Sequence, residues 1–179
     1  MWEKEKNRAC DYGTSIHKVM EDYLTEGVEE EEHESLYTSF NKWNHIFKKF
    51  PTLLCEEKLH DLDNFIAGTA DLIYENKTHF MVGDFKTNKA FNFFSPYNEF
   101  MLKPMDHLSV CEFNTYGLQL SLYAYLHEKS SGKKCTGCVI FYKDKENRFY
   151  PIRVNYMKKE IISLIEDYNN PNSLSSKID

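Results

Sequence analysis

A charged pair interrupts one of the most apolar segments of the chain. In THFMVGDFKT, Asp84 and Lys86 are two residues apart, so in a β-strand their side chains point to the same face. Charged groups inside an apolar strand are unfavourable unless they are paired or bound to a cation. A structural Asp–Lys ion pair on an edge strand is the alternative that the D-x-K pattern alone leaves open.

A second carboxylate lies in the preceding strand-like segment, FIAGTADLIYE, as Asp71. If the hairpin turns within Glu75–Thr78, Asp71 and Asp84 come close across it. Two neighbouring carboxylates repel, and a hard divalent cation relieves that repulsion. A metal, carboxylates and a lysine are suited to phosphodiester hydrolysis, in which the metal activates water and offsets charge on the phosphate. Lys86 would then orient the water or stabilise charge on the phosphate.

Two further segments carry candidate ligands. His17 and Glu21 are four residues apart and share a helical face, with Thr14 suited to cap that helix. A neutral imidazole is a common metal ligand, although surface polarity explains either residue taken alone. In the first strand, Glu56 and Glu57 are equally plausible, and periodicity does not choose between them.

Other polar and aromatic residues could contact a nucleic acid. Gln119 and Tyr123 share a helical face and could bind a phosphate or a nucleotide, or could pack in the core. The segment Ala90–Phe100 is rich in aromatic residues, which could stack on unpaired bases or cover the core. Five lysines would form a track for phosphates only if the fold gathers them on one side: Lys86, Lys89, Lys103, Lys133 and Lys134.

The apolar periodicity predicts the elements that position these residues. Helices are expected at about 14–25, 36–49, 116–129 and 157–168, and strands at about 52–60, 65–75, 78–87, 138–144 and 148–154. In the second strand, Ala70, Leu72 and Tyr74 are expected on one face and Asp71 on the other. Short links make the first three strands antiparallel neighbours. We therefore predict one α/β domain over residues 1–168, with a mixed sheet flanked by helices, and a polar tail over 169–179.

Composition restricts the class of protein. The 179 residues are 41% hydrophobic and 15% aromatic, enough for a packed core. The net charge of −6 argues against binding nucleic acid by bulk electrostatics, although a carboxylate metal site is itself acidic. Much of the excess negative charge lies in Glu26–Glu34, which is expected to be a solvated loop.

Neither a membrane span nor a secretory signal is present, so we expect a soluble intracellular protein without a membrane partner. Five cysteines, with Cys135 and Cys138 as a lone CxxC, support neither a disulfide framework nor a closed zinc site.

The order and spacing of these motifs resemble a known family. GTSIHKVME, then a Glu and AGTAD, then GDFKTNK and YGLQLSLYAYL are similar to the RecB-like exonuclease branch of the PD-(D/E)XK nuclease superfamily. The likeness is strongest to its small bacteriophage members and to the mitochondrial genome-maintenance exonuclease group, and it covers about residues 2–164. The signature proline before the motif Asp is replaced by Ala70, and the cysteines do not follow the iron–sulfur arrangement of cluster-bearing relatives.

The resemblance implies a restriction-endonuclease-like αβββαβ core, Mg²⁺ or Mn²⁺ as cofactor and cleavage of DNA. It implies metal ligation by His17, Asp71, Asp84 and the backbone carbonyl of Phe85. Glu21 is a candidate ligand only through the helical face that it shares with His17. Lys86 would polarise the attacking water. The same resemblance selects Glu56 as the strand glutamate and places Gln119 and Tyr123 in the active site. Since no GxxxxGK[ST] motif is present, any helicase activity would come from a separate partner chain, which could also supply the substrate.

Three functions remain open at this level. The first is a metal-dependent DNA exonuclease acting in replication, recombination or repair. The second is an endonuclease on RNA or branched DNA, since substrate choice lies in loops and not in metal ligands. The third is a non-catalytic binding or assembly module on a nuclease fold, which the negative charge favours.

Overall fold

The computed structural model describes residues 2–47 and 49–170. In this part of the chain, four α-helices and five strands follow one another in the order α, α, β, β, β, α, β, β, α. The helices are α1 (Trp2–Glu26), α2 (Glu34–Asn44), α3 (Glu112–Ser131) and α4 (Lys158–Asn169). The strands are β1 (Thr52–Asp61), β2 (Ile66–Glu75), β3 (His79–Lys86), β4 (Lys134–Lys143) and β5 (Phe149–Val154). The predicted mixed α/β domain with an αβββαβ core is confirmed, the core running from α2 to β4.

The five strands form one sheet in the order β1-β2-β3-β4-β5. All neighbours are antiparallel except β3 and β4, which run parallel. Parallel neighbours require a crossover connection, which α3 provides. Its C-terminus is closed by Gly132 at φ 71°, the left-handed conformation that favours glycine.

Helices cover both faces of the sheet. On one face, α1 and α2 bury Ile16, Met20 and Phe40 against Phe85 and Phe141. On the other, α3 contributes Leu120, Ala124 and Leu126 to a second cluster of buried side chains. Among the described residues, no helix is long and apolar enough to cross a membrane.

Three predicted boundaries differ from the structure. The first helix begins at Trp2 rather than Thr14, so Thr14 is not a cap: its hydroxyl donates to the carbonyl of Cys10 inside the helix. The second helix ends at Asn44 and continues as a 3₁₀ turn to Phe47. Of the predicted tail, Asn169 belongs to α4, and residues 171–179 lie outside the described part of the chain.

The acidic segment Glu26–Glu34 is exposed apart from His33, and it includes a short 3₁₀ turn.

The prediction that Ala70 shares a face with Leu72 and Tyr74 is wrong. Leu72 and Tyr74 lie under α1 and α2, whereas Ala70 lies under α3. Alternate residues of a regular strand face the same side of the sheet. Ala70 and Leu72 lie on opposite sides, so the regular alternation of β2 is interrupted at Asp71. Interpolating the β1–β2 register between its flanking pairs places Glu56 opposite Asp71, and the φ of 49° at Glu56 is uncommon for a residue other than glycine. The two irregular positions therefore lie side by side on neighbouring strands.

Candidate metal centre

Asp71 lies at the end of the β2–β3 ladder. The last paired residues are Leu72 and Gly83, and continuing this register places Asp71 opposite Asp84. Beyond Gly83, Asp71 Oδ2 takes over as an acceptor and receives the backbone N–H of Phe85 at 2.8 Å. The carboxylate is therefore fixed to the strand that carries the D-x-K pair.

Three donors from three elements converge around Asp71. A ring nitrogen of His17 from α1 and one carboxylate oxygen each from Glu56 and Asp71 all lie within 4.8 Å of one another. His17 Nδ1 is 3.2 Å from Asp71 Oδ2. The unusual backbone at Glu56 accompanies this convergence. Strained positions of this kind are concentrated at functional sites, which agrees with a role for the glutamate.

The charges of the cluster perturb one another. Burial opposes a charged imidazole, but the hydrogen bond and charge of Asp71 outweigh it and raise the pKa of His17. Partial burial, together with the charges of Asp71 and Glu21, raises the pKa of Glu56. Both shifts follow from groups of opposite and like charge placed close together in a partly buried site.

Asp84 is the most deeply buried acid of the group, at 2% exposure. Burial and the charge of Asp71 raise its pKa to about 6, against the opposing effect of Lys86. Lys86 Nζ lies 2.7 Å from Asp84 Oδ2, yet this oxygen accepts no well-directed hydrogen bond from any described residue. A buried carboxylate that has one cationic neighbour but no directed hydrogen bond, and that lies near a second acid, suits a further cation.

The donor set fits a divalent ion. Carboxylate oxygens are the ligands of Mg²⁺ and Mn²⁺, and an imidazole nitrogen is compatible with Mn²⁺. The structure brings donors of His17, Glu56 and Asp71 together, and the buried Asp84 adjoins Asp71, so these four side chains could hold such an ion.

A cleft of 860 Å³ opens along the site and is lined in part by His17, Phe85 and Lys86. Its described walls carry one acidic side chain, Asp144, against five basic ones: Arg8, Lys86, Lys89, Lys143 and Lys145. The cleft is therefore cationic in a protein whose net charge is −6. Such a cleft concentrates anionic ligands.

Only part of this cleft was expected from the sequence. Of the five lysines considered as a phosphate track, Lys86 and Lys89 line it. Lys133 instead pairs with Glu75 at 2.6 Å, and Lys134 lies at the far end of the β3–β4 ladder, opposite His79. The sequence does not predict that Tyr116 belongs to the site. This residue lines the cleft, and its ring centroid lies 4.7 Å from Lys86 Nζ.

The remaining predicted site residues are Glu21, Gln119, Tyr123 and Phe85. Glu21 forms an ion pair with Lys18 at 3.2 Å and reaches Glu56 only through its charge. Gln119 donates to the Tyr123 hydroxyl at 3.0 Å, and neither lines the cleft among its described walls. Phe85 is buried beside the cluster, and ligation by its carbonyl stays a prediction.

Comparisons with known proteins give a fold and no family. No family model matches the chain, and no curated protein matches it. A presumed exonuclease from Eubacterium rectale superposes with a TM-score of 0.56 at 13% identity, over 96% of this chain and 69% of that one. This likeness shows a shared fold. The crystal structure of SSO0001 gives a TM-score of 0.37 at 18% identity, over 72% of this chain and 54% of the other, which is too low to carry an argument.

Proposed function

We propose that this protein is a nuclease that requires Mg²⁺ or Mn²⁺ and hydrolyses phosphodiester bonds of DNA. The observation that supports it most is the cluster of His17, Glu56 and Asp71 donors within 4.8 Å, beside the buried Asp84–Lys86 pair. A structural ion pair between Asp84 and Lys86 alone would not require a second and a third carboxylate nearby, because each adds repulsion. The presumed exonuclease that shares the fold agrees with this assignment.

The chemistry divides between an ion and the chain. A bound divalent ion would activate water and offset negative charge on the phosphate oxygens. His17, Asp71 and Asp84 would hold it. Lys86 would contact the attacking water or a phosphate oxygen, since it both touches Asp84 and lines the cleft.

Lys86 acts in this proposal as a cation and not as a base. Burial disfavours its charge, but the neighbouring Asp84 outweighs burial and raises the pKa of Lys86. A lysine charged at neutral pH donates hydrogen bonds and stabilises anionic oxygen. Its position over the Tyr116 ring further restricts where the ammonium group points.

The cationic cleft supports a nucleic-acid substrate. Its basic side chains come from α1, from the end of β3 and the segment after it, and from the end of β4 and the turn after it, so the cleft gathers them from three parts of the chain. Contacts of this kind bind the phosphate backbone without regard to sequence. We infer that a strand enters the cleft with one phosphate beside Lys86, and that the enzyme trims ends as an exonuclease in replication, recombination or repair.

The decisive experiment is a cleavage assay on end-labelled single- and double-stranded DNA with Mn²⁺, Mg²⁺ or EDTA. We expect cleavage only with metal, and a loss of about 100-fold or more in rate for Lys86→Ala and for Asp84→Asn, as for other groups that stabilise a transition state. Lys134→Ala is the matched control because this exposed lysine lies at the other end of the same ladder.

The substrates decide the finer assignment. A ladder that shortens from one end, with closed-circular DNA intact, is expected for an exonuclease. Cleavage of circular DNA, or of labelled RNA in preference to DNA, would replace the proposal with an endonuclease or a ribonuclease. Full activity in Lys86→Ala would overturn the assigned site. Folded protein that cleaves nothing under any metal would favour a binding module or a nuclease that depends on a partner.

A further inference from the structure

Large apolar side chains are concentrated on one exposed loop, the aromatic loop, defined here as residues 90–111. Phe94 and Tyr97 are each 80% exposed, and Phe93 and Phe100 are 49% and 55% exposed. Exposed apolar residues scattered singly are ordinary, but a contiguous group of aromatic residues indicates a binding surface.

The loop holds these side chains outward through an ordered backbone. Phe100 and Ser109 form an antiparallel bridge, and Met101 N–H donates to Leu108 O at 2.9 Å. The Ser95 hydroxyl accepts the N–H groups of Tyr97 and Glu99 at 3.2 and 3.1 Å. Because these backbone groups bond within the loop, the backbone that carries the aromatic residues is ordered before any ligand arrives.

A chain of ring contacts connects the loop to the metal centre. Phe91 lies 5.2 Å from Tyr142 and 6.1 Å from Tyr116 between ring centroids, and both tyrosines line the cationic cleft. Phe91 also contacts Phe93 at 5.3 Å, which contacts Phe113 at 5.3 Å. The aromatic surface is therefore continuous with the cleft that contains Lys86.

A depression of 530 Å³ lies within this surface. Phe93, Phe94 and Phe100 line it together with polar residues such as Asn98 and His107. Flat rings with a few polar groups at their edges match a nucleobase, which has a π-face and hydrogen-bonding edges.

We propose that the aromatic loop stacks unpaired bases of the strand whose phosphates occupy the cationic cleft, so that the enzyme prefers single-stranded DNA ends. This rests on the proposed function and adds the form of its substrate. Stacking on aromatic side chains tolerates any base, as a nuclease that trims ends requires. Paired bases in a blunt duplex would not present their faces to Phe94 and Tyr97.

The charges of the loop favour bases over an anionic lipid surface. Residues 90–111 contain two acids, Glu99 and Asp106, and one basic residue, Lys103, apart from His107. Membrane-surface segments combine apolar residues with clustered lysine or arginine. Here the basic residues are instead in the adjoining cleft, which separates a site for phosphates from a site for bases.

The test compares the binding of two labelled single strands of equal length in EDTA, one carrying bases and one wholly abasic. Both have the same phosphates, so their difference measures base contacts. We expect the strand with bases to bind at least about five-fold more tightly, as stacking of even one base gives. Phe94→Ala/Tyr97→Ala should remove that preference while leaving the affinity for the abasic strand unchanged.

Two further variants separate stacking from other effects. Phe94→Leu/Tyr97→Leu keeps the loop apolar but removes the ring faces, and should lose the preference as the alanine pair does. Phe65→Ala removes an aromatic side chain that is 89% exposed in the β1–β2 turn and should leave the preference intact. Equal urea midpoints for all variants would show that each remains folded.

The outcomes separate this inference from the proposed function. Equal binding of the two strands by wild type would overturn the loop assignment even if metal-dependent cleavage is present. A base preference without any cleavage would support the loop and overturn the proposal that this chain alone is an active nuclease. Loss of self-association in the alanine pair, with no base preference in wild type, would assign the surface to a second copy of the chain instead.

Discussion

The Asp71 carboxylate accepts the backbone N–H of Phe85 at 2.8 Å, at the point where β2 and β3 stop pairing. The same oxygen lies 3.2 Å from His17 Nδ1. One side-chain atom thus replaces a missing backbone partner and ties α1 to the sheet. Asp71 is consequently both a structural acceptor and a candidate ligand, and the two roles can be separated by substitution.

In EDTA, Asp71→Ala is expected to be less stable than Asp71→Asn by about 1–3 kcal/mol, because alanine leaves the buried N–H of Phe85 without an acceptor. Both variants remove the same negative charge beside Asp84, so relief of repulsion cancels in the comparison. Urea unfolding measures the difference. Equal stabilities for the two variants would show that the hydrogen bond to Phe85 contributes nothing.

Metal binding should stabilise the folded protein. At a Mn²⁺ concentration of about 100 times Kd, linkage gives about 2.7 kcal/mol, which raises Tm by roughly 5–10 °C for a chain of this size. We expect His17→Ala to reduce the rise and Asp71→Asn to abolish it in a thermal scan. This readout does not depend on cleavage.

A second group of donors in the described chain provides the matched control for the metal experiment. Glu30, Glu32 and His33 also bring donor atoms within 4.8 Å, but both glutamates are exposed. His33→Ala should keep the full rise in Tm, since exposed acidic groups often lie close together without binding an ion. If His33→Ala removes the rise and His17→Ala does not, the metal site has been assigned to the wrong cluster.

Much of the fold follows from the sequence because its signals are local. The periodicity of apolar residues predicts each α-helix and strand of the described chain, although it begins the first helix at Thr14 and not at Trp2, and the short link after Glu75 predicts the hairpin that brings Asp71 near Asp84. The common face of Asp84 and Lys86 follows from their spacing of two. These inferences require only regular elements and short connections.

The predictions that were wrong or incomplete concern irregular backbone or residues that are far apart in the sequence. Period-two reasoning assumes a regular strand, so it could not locate the switch of faces at Asp71 and Glu56. The cationic cleft joins Arg8 to Lys143 and Lys145, which lie far apart in the sequence. Neither the apolar periodicity nor the spacing of the residues predicts that these side chains line one cleft.

Asp61 provides a pH-dependent prediction away from the candidate metal centre. Hydrogen bonds from Lys129 and Asn64 outweigh burial and lower the pKa of Asp61, whose carboxylate is 2.7 Å from Lys129 Nζ. A lowered folded-state pKa gives stability that is present above the unfolded value, near 3.9, and is lost as pH falls through the folded value. Wild type should therefore exceed Lys129→Gln in stability by a constant amount between about pH 5 and 8, and by less below about pH 4.

Urea midpoints across this pH range test the Asp61–Lys129 pair. Lys134→Gln, at an exposed lysine of β4, should follow the wild-type curve throughout. A gap between wild type and Lys129→Gln that persists unchanged to pH values where Asp61 is protonated would contradict the assignment. The effect would then come from the packing of the Lys129 stem.

Gly68 is required by the close approach of Tyr123. A Cβ at Gly68 would lie 2.6 Å from Tyr123 Cε1, a separation that forces the ring or the strand to move. We expect Gly68→Ala to destabilise the protein by about 1–3 kcal/mol, the usual effect of overpacking. Displacement of the ring should also disturb the 3.0 Å hydrogen bond from Gln119 to the Tyr123 hydroxyl.

A double-mutant cycle separates the clash at Gly68 from other effects of the added methyl group. In a Tyr123→Ala background, Gly68→Ala should be neutral or slightly stabilising, because alanine restricts the unfolded strand more than glycine does. In a Tyr123→Phe background it should remain as destabilising as in wild type, since the ring carbons are still present. An equal cost in all three backgrounds would mean that strand geometry, rather than the ring, requires glycine at position 68. In that case Gly68 would give no information about how Gln119 and Tyr123 are held.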